Sequence, residues 1–161
     1  MPQQRECGSC TACCKTHPNE AFAKPAGVWC VNCVIGKGCG VYSSRPQECK
    51  DYICAWRAGY FNENERPDKV HVIVDYGGLM PRGQFVARIY EVSEGALRGR
   101  FAQEVTKFCL QDDMGVLLVA LNQRLELLMP PDTFLTPEER NHITTAAEEE
   151  VVFRRTWRKF A

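Results

Sequence analysis

Hydrophobic and polar positions change rhythm once along the chain, near residue 62. Beyond that point Val70, Val72 and Val74 alternate with His71, Ile73 and Asp75, a period of two that predicts a strand ending at the Gly77-Gly78 turn. Residues 85–92 alternate in the same way, with Val86, Arg88 and Tyr90 on one face and Phe85, Ala87 and Ile89 on the other. The two strands are expected to pair as a hairpin through the loop containing Pro81 and Gly83. Leu97, Phe101, Val105 and Phe108 then recur at helical spacing and predict a helix over residues 93–110, weakened by Gly95 and Gly99. Residues 116–121 form a continuous apolar run, as in a central strand, and Asn122-Gln123 can turn it into a strand over Leu125–Met129 that Pro130-Pro131 stops.

A last helix carries the strongest end signals. Thr136 is placed to cap it, Pro137 suits its first turn and Glu139 completes a capping box, while Arg154, Arg155, Arg158 and Lys159 gather at its far end. Ile143, Ala147, Phe153, Trp157 and Phe160 supply its apolar stripe, with Glu150 interrupting it. The order β-β-α-β-β-α predicts an α+β fold, an antiparallel four-stranded sheet with two helices, over residues 61–161.

Residues 1–60 read differently. Glycines and prolines punctuate them, no long apolar period is present, and nine of the chain's 10 cysteines fall there. The pattern is Cys7-x2-Cys10-x2-Cys13-Cys14, Cys30-x2-Cys33-x5-Cys39, then Cys49 and Cys54. A segment that cannot build its own apolar core is held by cross-links, and metal ions are a common choice. Residues 1–60 are therefore expected to form a small irregular Cys-rich metal module, with short helical turns over residues 10–15 and 46–56, the second capped by Ser43 or Ser44.

The spacing carries the chemistry. A Cys-x2-Cys turn brings two sulfurs to the same side, where one metal meets both and backbone N–H groups donate to sulfur. Three such elements overlap here: Cys7/Cys10, Cys10/Cys13 and Cys30/Cys33. Neighbouring side chains usually point apart, so Cys13 and Cys14 are expected to face two different ions or to include a bridging sulfur. A polynuclear site, or two sites sharing one loop, follows. Closed all-sulfur coordination favours zinc, two or more ions, with iron or an iron-sulfur cluster as the alternative and copper(I) open to soft thiolates. Cys7-x2-Cys10-x2-Cys13-x3-His17-Pro18 has the form of a ferredoxin run with His17 in place of the fourth cysteine, and His17 is the histidine near enough in sequence to be a ligand.

Charge modifies this picture only slightly. Net charge is zero, but residues 1–60 carry seven Lys or Arg against four acids, an excess that offsets thiolate charge. Spread over a whole module it makes no basic stripe, so nucleic acid is not an expected partner. No basic start followed by an apolar run opens the sequence, and no apolar stretch is long enough to span a bilayer. A cytoplasmic location without a membrane partner is expected, where clustered thiols serve as ligands more often than as disulfides.

Cys-Gly-Ser-Cys-Thr-Ala-Cys-Cys (Cys7 to Cys14), followed by Gly38-Cys39-Gly-Val-Tyr42 and Arg45-Pro46-x2-Cys49-x4-Cys54, resembles the CxxCxxCC, or YkgJ-type, cysteine-cluster family, a zinc- or iron-chelating domain family. The likeness covers roughly residues 7–57 and implies metal chelation by these cysteines; a related cluster occurs in flagellin lysine methylases. Arg45 fits it physically, since a guanidinium can donate to thiolate sulfurs or to carbonyls of the cysteine loops. The remaining residues have plainer readings. Cys109 joins the apolar side of a helix, His71 and His142 face solvent or serve structure, and Trp29 and Trp56 shield the thiols. No phosphate loop, dinucleotide fingerprint or H-E-x-x-H motif is present. The expected function is a metal-binding protein whose cluster is structural and supports a protein partner. Metal carriage or sensing, and a redox or enzymatic iron-sulfur role, are the competing readings.

Overall fold

The computed structural model describes residues 4–79, 85–130 and 158–159. Regular structure is short at first: α1 (Ala12–Thr16), a hairpin of β1 (Cys33–Val34) with β2 (Gly38–Cys39), and α2 (Gln47–Asp51). The second helical turn is thus shorter than its apolar spacing predicts. It opens on Pro46 without a side-chain cap, and Ser43 and Ser44 lie in a preceding 3-10 turn.

Then α3 (Pro67–Val70) leads into β3 (Val72–Leu79), β4 (Phe85–Glu91), α4 (Arg100–Gln111), β5 (Gly115–Val119) and β6 (Leu125–Met129). The α+β class stands, but two boundaries move. Val70 closes α3 instead of opening the strand, because His71 takes a left-handed turn at φ 59°. The strand also runs through Gly77-Gly78 where a turn was expected, a bulge between Asp75 and Gly78 absorbing the extra residue. Pro81 and Gly83 lie outside the described residues.

The helix, too, starts later than its periodicity suggests. Gly95, at φ 83°, and Gly99, at the helix N-cap, set off a 3-10 turn at Ala96–Arg98 from α4. Phe108 is exposed, and the buried stripe of α4 is Ala102, Val105, Thr106, Cys109 and Leu110.

The sheet is mixed rather than antiparallel. β3 pairs antiparallel with β4 and β5 antiparallel with β6, but β4 and β5 run parallel. The cause is α4, whose crossover returns the chain to the same end of the sheet, as a parallel pair requires. Arg158–Lys159 (β7) extends the sheet, parallel to β6, so these two residues lie in a strand where a helix end was expected. The rest of the predicted last helix, including Thr136, Pro137, Glu139, His142, Ile143, Ala147, Glu150, Phe153, Arg154, Arg155, Trp157 and Phe160, lies outside the described residues.

Alternation along β3 and β4 decides what each face of the sheet meets. Val72, Val74, Ala87 and Ile89 pack with Val105, Cys109 and Leu110 of α4 and with Val116 and Leu128. On the opposite face, Ile73 and Tyr90 meet Ala12, Cys10, Cys13, Tyr52 and Cys54. The cysteine-bearing segment therefore has a sheet behind it. Burial of Ile73, 1% exposed, contributes about 1.5–3 kcal/mol to that contact. Ala55 N–H donates to the Val74 carbonyl at 2.8 Å, which satisfies one acceptor on the edge strand β3. Among the described residues no helix is long and apolar enough to cross a membrane.

Candidate metal centre

Two of the three Cys-x2-Cys elements, Cys7/Cys10 and Cys30/Cys33, close as the tight turns their spacing predicts. Cys10 N–H donates to the Cys7 carbonyl at 3.1 Å and Cys33 N–H to the Cys30 carbonyl at 3.0 Å. Cys30 N–H reaches the Cys14 carbonyl at 2.9 Å, tying the second turn to α1. Cys33 and Cys39 face each other across the β1–β2 hairpin. Gly38 sits there at φ 130°, and a Cβ on it would come within 3.2 Å of the Gly8 carbonyl, so a side chain would push the two cysteine loops apart.

These turns enclose one cavity of about 310 Å³, lined by Cys7, Cys10, Cys13, Cys14, Cys30, Cys39, Cys49 and Cys54. Cys33 is outside that lining but pairs with the lining residue Cys39 across the hairpin and interacts with Cys14. Nine thiols that the sequence groups are thus gathered round a single space. All nine are free thiols, eight partly exposed and Cys49 exposed. Among the described residues no three His, Cys, Asp or Glu side chains converge closely enough to hold an ion as they stand; the sulfurs are spread along the wall.

Charge interactions run between neighbouring thiols along the wall. Cys10 feels Cys54, and Cys54 feels Cys7. Cys14 feels Cys13, Cys33 feels Cys14 and Cys30, and Cys49 feels Cys14, Cys39 and Cys30. Tyr52 packs beside Cys10, Cys13 and Cys54. Cys13 and Cys14, expected to face two different ions or to include a bridging sulfur, both line the cavity. The first turn of α1 carries both side chains toward the cavity.

Burial pushes the Cys10 thiol up to about 11, opposed by the N–H groups of Ala12 and Asp68 that point at its sulfur. Burial raises Cys54 as well, against N–H donation from Arg57 and Trp56. Cys33 is pushed up to about 11 by burial and by Cys14. The hydrogen bond with Cys13, then burial, hold Cys14 far above the usual thiol range. These sulfurs are protonated near neutral pH without a metal. N–H groups aimed at sulfur are also what a bound thiolate needs.

Three cations line the cavity: Lys24, Arg45 and Arg57. Arg45 donates to the Tyr42 carbonyl at 2.9 Å and stacks 3.8 Å over the Tyr42 ring, holding the loop between Cys39 and Cys49. Lys24 is a residue that the sequence pattern does not mark. It is 8% exposed, and burial lowers its pKa while Cys30, Cys14, Cys13 and Cys49 act to raise it. Asn19, also buried, donates from Nδ2 to the Cys49 sulfur at 3.1 Å. A soft, thiol-rich donor set with N–H groups and cations around it fits a thiophilic metal.

His17 is built into the cavity wall by other groups. Its ring lies between Tyr52 and Tyr90, at centroid distances of 4.3 and 4.5 Å. Nδ1 is 2.7 Å from the Thr16 hydroxyl, and the buried Nε2 lies 3.8 Å from Asp75 Oδ2, an ion-pair distance too long for a hydrogen bond. Asp75 Oδ2 accepts from Tyr52 OH at 3.2 Å and Oδ1 from Arg88 Nε at 2.6 Å. An acid inside the apolar run of β3 was the sequence signal for this cluster. Trp56 lines the cavity and is buried, its Nε1 donating to the Asn62 carbonyl at 3.0 Å, whereas Trp29 lies beneath Lys15 at 5.7 Å. Cys109, fully buried on α4, belongs to the core.

No family model matches the chain, and no curated protein or solved structure matches it either.

Proposed function

We propose that this chain is a metal-binding protein of the CxxCxxCC cysteine-cluster type, holding two or more zinc ions through Cys7, Cys10, Cys13, Cys14, Cys30, Cys33, Cys39, Cys49 and Cys54. The observation that carries this is one cavity of about 310 Å³ with eight thiols on its wall, a ninth paired with one of them across the β1–β2 hairpin, and three cations beside them. That space exceeds what a single ion fills, and a Zn–S bond is only about 2.3 Å. Metal uptake draws sulfurs inward from the wall and releases their protons.

The role favoured here is structural, in a cytoplasmic protein: the ions fix a segment that has little apolar core of its own, and so shape a surface for a protein partner. Carriage or sensing of metal is the competing role. Circular dichroism during treatment with a strong chelator separates them. Loss of fold in the cysteine-bearing segment supports the structural role, and an intact fold that merely loses metal contradicts it. Iron or an iron-sulfur cluster is the second reading of the same donors, favoured by a cavity roomy enough for bridging sulfide. Brown colour with broad visible absorption after anaerobic purification would establish iron and overturn zinc.

A further inference from the structure

Asn19 and Lys24 form an isolated antiparallel bridge, with Asn19 N–H donating to the Lys24 carbonyl at 2.8 Å and Lys24 N–H to the Asn19 carbonyl at 2.9 Å. The intervening residues make a single 3-10 turn, which Asn19 Oδ1 caps by accepting from Phe22 N–H at 3.1 Å. Both bridged residues are buried, at 5% and 8% exposure, although both carry strongly polar side chains. Burial of such groups is costly unless something inside requires them.

Each turns its polar end to a defined partner. Lys24 Nζ donates to the carbonyls of Lys15, at 3.2 Å, of Pro25, at 3.0 Å, and of His17. Three carbonyls take the three hydrogens of an ammonium, so the geometry fixes a positive charge at that point. The charge sits on the cavity wall among Cys13, Cys14, Cys30 and Cys49. Asn19 Nδ2 meanwhile donates to the Cys49 sulfur.

We propose that the Asn19–Lys24 bridge is a counter-charge bracket that suits the thiols beside it, Cys13, Cys14, Cys30 and Cys49, to an anionic centre, one in which bound thiolates carry more charge than the metal ions they hold. This rests on the metal-centre reading above. Four thiolates on one divalent ion leave two negative charges, and six on two ions leave the same. In a partly buried site a fixed cation and an N–H donor stabilise that surplus where water cannot. Lys24 and Asn19 are positioning residues that act through the sulfurs.

The test uses the whole chain, prepared reduced and metal-free, titrated with zinc and separately with cobalt(II). Lys24→Met removes the charge at similar length but leaves three carbonyls unpaired, so it risks the fold. Asn19→Asp is the second variant: it keeps the acceptor that caps Phe22 and replaces the donor at Cys49 with a negative charge. Each folded variant is expected to bind zinc about 10–100-fold more weakly than wild type. The sulfur-to-cobalt charge-transfer band should move to longer wavelength, because sulfur electrons rise in energy when the nearby positive end is lost. Wild-type affinity and an unmoved band in folded Asn19→Asp overturn the inference, as does weaker binding with an unmoved band, the mark of a purely structural effect. If wild type itself takes up neither metal, the proposed function fails and this inference with it.

Discussion

Asp75 and Arg88 face each other across β3 and β4 and are joined by a 2.6 Å bond from Arg88 Nε to Asp75 Oδ1. The pair lies on the sheet face opposite α4, where Asp75 also holds Tyr52 and stands beside His17. It is thus the joint between the regular sheet and the irregular thiol-bearing chain. Asp75→Asn should keep a partner for Tyr52 but leave Arg88 without its counter-ion, at a cost of about 1.5 kcal/mol, the low end for a charged hydrogen bond because Arg88 is partly exposed. Denaturant unfolding checks this, and unchanged stability would contradict it.

Acid should reveal the same joint. Burial pushes the Asp75 carboxyl up, but the His17 ring and the Arg88 charge and hydrogen bond outweigh it and hold the group below its ordinary value of 3.8. The unfolded chain therefore takes up the proton first as pH falls. The contribution is complete above the unfolded value and is lost as pH drops through the lower native one. Wild type should lose more stability than Asp75→Asn on acidification below about pH 4. Parallel pH profiles of unfolding free energy would contradict this.

Gly77 makes room for the ion pair. A Cβ there would overlap the Arg88 guanidinium, which lies across the strand. Gly77→Ala should displace Arg88 from Asp75 and cost at most about 1.5 kcal/mol, the loss of that bond, measured as a fall in unfolding midpoint. A gain in stability would show that Arg88 moves aside freely.

Cys109 serves as a control for the thiol chemistry. It is fully buried on α4 among Val72, Val74 and Val116, and burial pushes it up to about 11. Cys109→Ser places a hydroxyl in that core and should cost about 1–3 kcal/mol, with metal stoichiometry unchanged by elemental analysis. A fall in bound metal would move Cys109 into the site.

The sequence makes some of this legible. The strand at Leu125–Met129 matches to the residue, because turn residues before it and Pro130 after it fix both ends. Faces of β4 were readable because side chains along an unbroken strand alternate with a period of two. Gly95 and Gly99 gave the correct hint about α4, but periodicity alone ran the helix across them. Parallel pairing of β4 with β5 depends on where α4 delivers the chain, which no local pattern contains.

The site divides in the same way. Nine cysteines announce themselves by spacing, and their meeting around one cavity follows from two tight turns and a hairpin. Lys24 does not, since a lysine between Ala23 and Pro25 looks like any surface loop residue until the Asn19 bridge turns it inward. Asp75 could have been found: a lone acid after Val72, Ile73 and Val74 needs a buried partner, and Arg88 supplies it.

Metal content of the unaltered chain is the direct measurement. Purified without oxygen and without added metal, then analysed for elements against protein concentration, it should carry two or more zinc ions per chain. One ion or fewer per chain would contradict a polynuclear centre in the cavity that Cys7 to Cys54 surround.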